Sequence, residues 1–287
     1  MKHNKNNQPT AIVLASQVLE SNLRTVFGRQ ETASLMIAGA TVIEHILLEL
    51  QDLSFSQCIV LAGDNANDIY RLATGSQHWG MNIEVMSSAL DKDQILREFK
   101  SMSEPNGLLL IEADKLRSHS VKQFLEICDS TDYLLYEGVN RSEKLGLSYL
   151  KPSSASFIIN AKSIQMNQIK VSSLRSIRDF HQANLDLIKG CYTGLESSVS
   201  SHAIGNQLQH WSANVHKRAQ VNHKGVMIDK RCRVGRHVNL NSVVLNRDVY
   251  VDRNTQLNNA IVMPHTVIPA NHNISNAIIR GENVYQL

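Results

Sequence analysis

From about residue 213 the chain places an aliphatic residue at roughly every sixth position: Val215, Val221, Ile228, Val234, Leu240, Leu245, Val251, Leu257, Met263, Ile268 and Ile274. Asn, Asp, Gly, His and Arg fill the gaps. A fixed six-residue period predicts a parallel β-helix of hexapeptide repeats, one flat face per unit, with the aliphatic side chain pointing into a shared core. One irregularity falls between Leu240 and Leu245. Charge follows the same boundary. Residues 213–287 hold ten Lys and Arg against four Asp and Glu, a net of +6, so residues 1–212 carry −3 of the total +3.

Upstream the pattern is different. Short apolar runs alternate with amphipathic stretches, which predicts strands and helices in turn. The predicted strands are 11–15 (AIVLA), 58–63, 82–86, 108–114, 132–138 and 154–160. The predicted helices are 41–53, 91–102, 120–128 and 172–190, with Asp64 as a cap after the second strand, Asp91 or Asp93 near the start of the second helix, and Gly190 as a stop. Residues 139–160 read as less regular. The alternation argues for an α/β domain with a doubly wound, Rossmann-like parallel sheet. Ligands of such sheets sit outside the carboxyl ends of the strands, here Ala15–Gln17, Gly63–Asp64 and Ala113–Asp114. The expected organisation is a polar tail over 1–10, an α/β domain over 11–190, a linker over 191–212 and a β-helix over 213–287.

With 287 residues and 43% hydrophobic composition the chain can bury a core without staples. Cys58, Cys128, Cys191 and Cys232 have no CxxC spacing, so reduced cytoplasmic thiols are expected rather than zinc ligands or disulfides. No stretch reaches the roughly 20 apolar residues of a membrane span, and a cytoplasmic protein is expected.

The turn after the first strand reads Ser16-Gln17-Val18-Leu19-Glu20-Ser21. It lacks the glycines that let a backbone cradle phosphate. The surrounding segments AIVLA (11–15), MIAGATVIEHIL (36–47), LLLIEAD (108–114) and ANLDLIKG (183–190), followed by the repeats, resemble the sugar-1-phosphate nucleotidyltransferases, most closely the mannose-1-phosphate guanylyltransferase type. That resemblance implies a nucleotidyltransferase domain followed by a left-handed β-helix. It also implies Mg²⁺ chemistry on a nucleoside triphosphate and a sugar phosphate. The family's functional positions are mostly replaced. Its Gly-rich first loop falls on Ser16, Gln17 and Leu19. Its loop arginine falls on Ser21 or Asn22, with Arg24 the nearest cation. Its phosphate lysine falls on Thr32, and its second glycine-rich segment on 90–96. Its two metal aspartates fall on Asp114 and Ser173.

Nucleotidyl transfer depends on positioning and on neutralising phosphate charge. Loss of most of those groups predicts a catalytically inactive homologue with no cofactor. Its expected role is a regulatory, nucleotide-sugar-sensing or scaffolding subunit of sugar-nucleotide or polysaccharide metabolism. It would form a homo-oligomer, or pair through its β-helix with an active relative. The alternatives are an active nucleotidyltransferase with an atypical loop, using Mg²⁺, and a structural adaptor in a surface-polysaccharide assembly. Ser16, Gln17, Arg24 and Asp114 are the nucleotide-pocket candidates. Asp114 is the metal candidate, with Glu112 two residues back on the same strand face. For Ser16 and Gln17 the competing reading is an ordinary polar loop, and for Asp114 a turn or helix cap. Asp179 and Asp186 read as a solvated helix face. His216, His223, His237, His265 and His272 invite comparison with the general base of hexapeptide acyltransferases, against a bland reading as solvent-facing turn residues. Lys217, Arg218, Lys224, Lys230, Arg231, Arg233 and Arg236 are candidates for docking an acidic partner, against the bland reading of solvated turns. The lack of an aromatic platform beside them argues against nucleic acid.

Overall fold

The structure is a computed structural model. It describes residues 8–75, 79–88, 92–100, 106–130, 133–141, 143–152, 161–195, 203–204, 207–222 and 224–287. The chain divides into two compact units. The first comprises Met1–Leu19, Arg29–Leu35 and Thr41–Ser173, and the second Glu20–Gly28, Met36–Ala40 and Leu174–Leu287.

The elements run β1 (Thr10–Ala15), α1 (Ser21–Phe27), α2 (Val42–Asp52), β2 (Gln57–Ala62), α3 (Ala66–Thr74), β3 (Asn82–Ser87), α4 (Lys92–Lys100) and β4 (Leu108–Glu112). They continue with β5 (Lys115–Arg117), α5 (Val121–Asp129), β6 (Leu135–Asn140), β7 (Glu143–Leu150), β8 (Lys162–Gln165), β9 (Val171–Ser173) and α6 (Ile177–Ile188). In the first unit a seven-stranded sheet has the order β8-β6-β7-β4-β1-β2-β3. All neighbours pair in parallel except β7, which runs antiparallel to both β4 and β6. This is a mixed α/β architecture built on a parallel sheet. β1 reads as unbroken apolar sequence because a central parallel strand is covered on both faces; Ala11, Ile12 and Val13 are fully buried. Ile12, Leu61, Leu108 and Leu110 pack with Ile95 and Leu96 of α4. Each such side chain contributes about 1.5–3 kcal/mol of burial.

Order matters for the site. From β1 the chain moves to β2 and β3 on one side, then crosses to β4 on the other, so the sheet's switch in direction lies between β1 and β4. Helix α2 starts at a capping box: the Glu44 N–H donates to Thr41 Oγ1 at 3.3 Å, and the Thr41 N–H donates to Glu44 Oε2 at 2.6 Å. Inside the same unit the Glu49 carboxylate, almost fully buried, accepts from Arg117 Nη2 at 2.9 Å and from the Val121 N–H at 2.8 Å. It thereby ties α2 to the start of α5.

Several expectations need correcting. β7 is a full strand in the stretch that reads as less regular. β4 ends at Glu112, and Ala113-Asp114 form a turn. The segment expected as one helix over 172–190 opens with β9 and becomes helical only at Ile177. Asp64 does not cap α3, whose N-cap is Asn65; Asp64 pairs with Arg29 instead. The expected strand 154–160 lies outside the described residues.

In the second unit short parallel strands stack with a fixed register. Arg233 pairs with Tyr250 and Tyr250 with Val267; Leu240 pairs with Leu257 and Leu257 with Ile274. Each coil is therefore 17 residues. Corners are marked by residues with positive φ: Arg231, His237, Ser242, Asp248, Asn254, Asn259, His265, Asn271 and Asn276. Their spacing is 6, 5 and 6 residues, repeated. The irregularity at Leu240–Leu245 is thus a short face that recurs in the 17-residue coils, at Leu257–Val262 (rather than Leu257–Met263) and at Ile274–Ile279. Asn and Asp enter the left-handed region at least cost among side-chain-bearing residues, which explains the polar corners. The first coil is longer: Leu208 pairs with Met227, 19 residues on. Val234, Leu240, Leu245, Val251, Leu257 and Ile268 fill the interior. The three faces differ outward. The first (Asn214–Val215, Arg233–Val234, Tyr250–Val251, Val267–Ile268) is basic and aromatic. The second exposes Asn239, Gln256 and Asn273. On the third, Val244, Ile261 and Ile278 alternate with the interior residues yet are fully buried, with α6 against two of these strands. After Gly281 the last strand, Asn283–Gln286, reverses and pairs antiparallel.

Candidate functional site

The carboxyl ends of β1, β2 and β4 form the place where a sheet of this order binds a ligand. Here the turn after β1 is pinned. The Thr32 N–H donates to the Gln17 carbonyl at 2.8 Å, and the Leu19 N–H to the Gln30 carbonyl at 3.0 Å. Val18 bridges Glu31 in antiparallel fashion. Leu19 and Thr32 are buried, Ser16 is half-buried, and Gln17 is exposed.

This arrangement carries Glu31 inward. Its side chain is 0% exposed. Its carboxylate accepts from the Asn65 N–H at 2.8 Å and from Asn65 Nδ2 at 3.0 Å. Gly63 makes the room: a Cβ there would lie 3.1 Å from the Ser16 carbonyl oxygen and 3.3 Å from Glu31 Oε1. The nearby cation Arg29 is paired with Asp64 at 2.7 Å, both of them exposed. A phosphate about 4 Å from an ionised Glu31 would meet about 4 kcal/mol of repulsion at an effective dielectric of 20. Sequence reasoning passed over Glu31, because only the long-range pairing of 16–19 with 30–32 turns it into the crevice.

At the end of β4 a second cluster forms. Lys115 Nζ, 7% exposed, donates to Glu112 Oε2 at 2.6 Å and to Asp114 Oδ1 at 2.9 Å. Lys92 reaches Glu112 at 3.9 Å and also pairs with Glu137, which Lys144 meets at 3.3 Å. Three lysines thereby neutralise three carboxylates. Gly146, at φ +71°, permits the packing, since a Cβ there would lie 3.1 Å from Glu112 Cβ. Burial disfavours the Lys115 ammonium, but the Glu112 and Asp114 charges outweigh it and raise its pKa. Burial likewise disfavours the Glu137 carboxylate, and the Lys92 hydrogen bond and charge outweigh it and lower its pKa.

The two positions that the resemblance gives to metal aspartates do converge. Ser173 lies opposite Lys115 in the β5–β9 pair. The donor set does not suit Mg²⁺, however. Position 173 is a hydroxyl that donates to Glu143 at 2.9 Å, and Asp114 already has an ammonium against it. Among the described residues no group of three or more His, Cys, Asp or Glu is arranged to hold a metal. Arg24 belongs to the second unit, exposed on α1. Asp179 is not simply a solvated residue: it closes the capping box of α6 with Ser176. Asp186 accepts from Gln182 at 2.7 Å. Two cavities in the first unit lie by the amino ends of β1 and β4. One of about 90 Å³ is lined by Pro9, Leu53 and Lys122, the other, of about 280 Å³, by Asn106, Asp129 and Lys151.

In the second unit His216, His237, His265 and His272 sit at or beside corners of the coil, and His223 lies outside the described residues. His181, which sequence reasoning did not single out, is buried on α6 with Nε2 2.9 Å from the Asn259 carbonyl. Burial lowers its pKa and so favours the neutral ring. Of the basic candidates, Arg231 donates through Nε and Nη2 to the two Asp248 carboxylate oxygens, at 2.6 Å each. Lys217, Arg218, Lys224, Arg233 and Arg236 are exposed, and Lys230 is half-buried. The stacking adds Arg247 and Arg253, which the linear stretch did not contain. It also places aromatic residues beside these cations, contrary to the expectation that none would be there: Tyr250 is 39% exposed and Trp211 is 71% exposed. Burial pushes the Cys58, Cys128 and Cys232 thiols up to about 12, which leaves them inert at neutral pH.

Comparison of the chain with protein-family models and with curated proteins gave no match. Among the described residues no helix is long and apolar enough to cross a membrane.

Proposed function

We propose that this chain is a catalytically inactive relative of the sugar-1-phosphate nucleotidyltransferases, with a Rossmann-like first domain and a left-handed β-helix, acting as a cytoplasmic scaffolding or regulatory subunit. The observation that carries this reading is the buried Glu31 carboxylate beneath the Ser16–Leu19 turn. A crevice that serves a triphosphate gathers N–H groups and cations. This one gathers an acid and hydrogen-bonds it to Asn65. The convergence of Asp114 and Ser173 supports the ancestry, and Lys115 between Glu112 and Asp114 supports the loss of metal-dependent chemistry. Within this reading scaffolding is favoured over nucleotide-sugar sensing, because the Leu19 N–H and the Gln17 carbonyl of the loop are already bonded to Gln30 and Thr32. Partners would meet the sides of the coil.

The test is calorimetric titration of the full chain with GDP-mannose, UDP-sugars and dTDP-sugars, with and without Mg²⁺, alongside a pyrophosphate-release assay. Neither heat nor pyrophosphate is expected. Pyrophosphate released from a nucleoside triphosphate and a sugar-1-phosphate would restore the active-enzyme reading.

A further inference from the structure

The outward side of the coil's first face is a charged surface that the crevice argument leaves unused. One coil sets Lys230, Arg233 and Arg236 in a row, and the next sets Arg247, Tyr250 and Arg253 above them. The coil after that presents Pro264, Val267 and Ala270 in the same columns. Rows of a parallel sheet lie about 4.8 Å apart. The side chains of Arg233, Arg236 and Arg253 have no hydrogen-bond or ion-pair partner among the described residues. The aspartates nearby are engaged elsewhere: Asp248 with Arg231, Asp229 with the Lys230 N–H, Asp252 with the Arg253 N–H. The second face carries neutral amides and the third is covered, so most of the exposed cations gather on this side, with Lys224 lying between the other two faces.

We propose that this face docks the protein onto an anionic phospholipid bilayer. Three features favour that occupant. Unneutralised cations at a surface attract acidic headgroups, each strengthening partition about fivefold. The face is a small sheet, which suits a plane, whereas a single nucleic-acid strand is held in a groove. Beside the cations the same face also exposes Tyr250 and Val267, the latter 59% exposed, an amphipathic ring and an aliphatic side chain that suit the headgroup level of a bilayer. The inference does not rest on the reading of the crevice.

Co-sedimentation of the full chain with vesicles tests it, using phosphatidylcholine alone and phosphatidylcholine mixed with phosphatidylglycerol, at low and high salt. Binding is expected only with phosphatidylglycerol, and weaker at high salt. The triple variant R233Q/R236Q/R253Q is expected to lose about a hundredfold in partition while melting like the parent. Val267→Ser should weaken the part that survives high salt, and Gln256→Glu on the second face should change nothing. Absence of binding to phosphatidylglycerol vesicles overturns the proposal, as does a triple variant that binds like the parent. Tighter binding of oligothymidylate than of vesicles, lost in the triple variant, would reassign the face to nucleic acid and also overturn it.

Discussion

Two charged regions of this molecule handle their charge in opposite ways. At the end of β4, Lys92, Lys115 and Lys144 neutralise Glu112, Asp114 and Glu137 within the protein. On the first face of the coil, Arg233, Arg236 and Arg253 stand exposed without a carboxylate of their own among the described residues. A group that is already paired inside its own fold has little left to offer a ligand. A repeated cation without a partner repels its neighbours and is relieved when an anion arrives. The lesson is that the region at the end of β4 satisfies its charges internally, and the region with spare interaction capacity lies on the repeats.

The sharpest way to break this contrast is Lys115→Met. It removes the ammonium between Glu112 and Asp114, leaving only Lys92 at 3.9 Å from Glu112, and should cost about 3–5 kcal/mol in urea unfolding. If Lys115 stands where a cation once did, Mg²⁺ should recover part of that loss in the variant and do nothing for the parent. Glu31→Gln comes next. It weakens a charge-assisted acceptor of two N–H bonds, at about 1.5–3 kcal/mol. No change in the unfolding midpoint would mean that the crevice is not organised around this carboxylate. The pH dependence should separate the regions further. Glu137 has a lowered folded pKa, so its contribution is present above about 4.5 and is lost as pH falls through the lowered value. Lys115 has a raised folded pKa, so its contribution holds below 10.5 and is lost only as pH climbs through the raised value. His181 has a lowered folded pKa, so stability should already start to fall as pH drops below about 6.5. Urea midpoints across pH 3–8 would show the two acid limbs, and Lys92→Met should flatten the lower one. The smallest effect belongs to the coil: Arg236→Gln should stay within about 0.5 kcal/mol of the parent in thermal unfolding, because its side chain is exposed and has no polar partner among the described residues.

Local rules carried the reading far where contacts are local or periodic. The run Ala11–Ala15 announces a covered strand, and Thr41 with Glu44 announces the start of α2. The aliphatic period announces the stacked coils, and even their short face was visible at Leu240–Leu245. Its recurrence was masked because Val262 and Met263 are both apolar, and spacing alone chooses the wrong one. β7 was hidden for a different reason. Gly146 and a register shift at Glu137–Val139 disturb its alternation. The site was less legible than the fold. Asp114 and Ser173 could be placed by counting, yet nothing nearby in sequence says that Glu31 turns under Ser16. Nor does it say that Lys92 crosses to Glu137, since these are tertiary contacts between segments 15 to 45 residues apart.

One consequence follows from the reversal at Gly281. A stack of parallel coils leaves a row of amides on its last strand, which would template the next coil of another molecule and so seed a filament. Here Asn283–Gln286 folds back and takes up the row over Ala277–Arg280. On that edge the molecule supplies its own terminator, so the third-face strand is capped from within rather than left as a template for another copy.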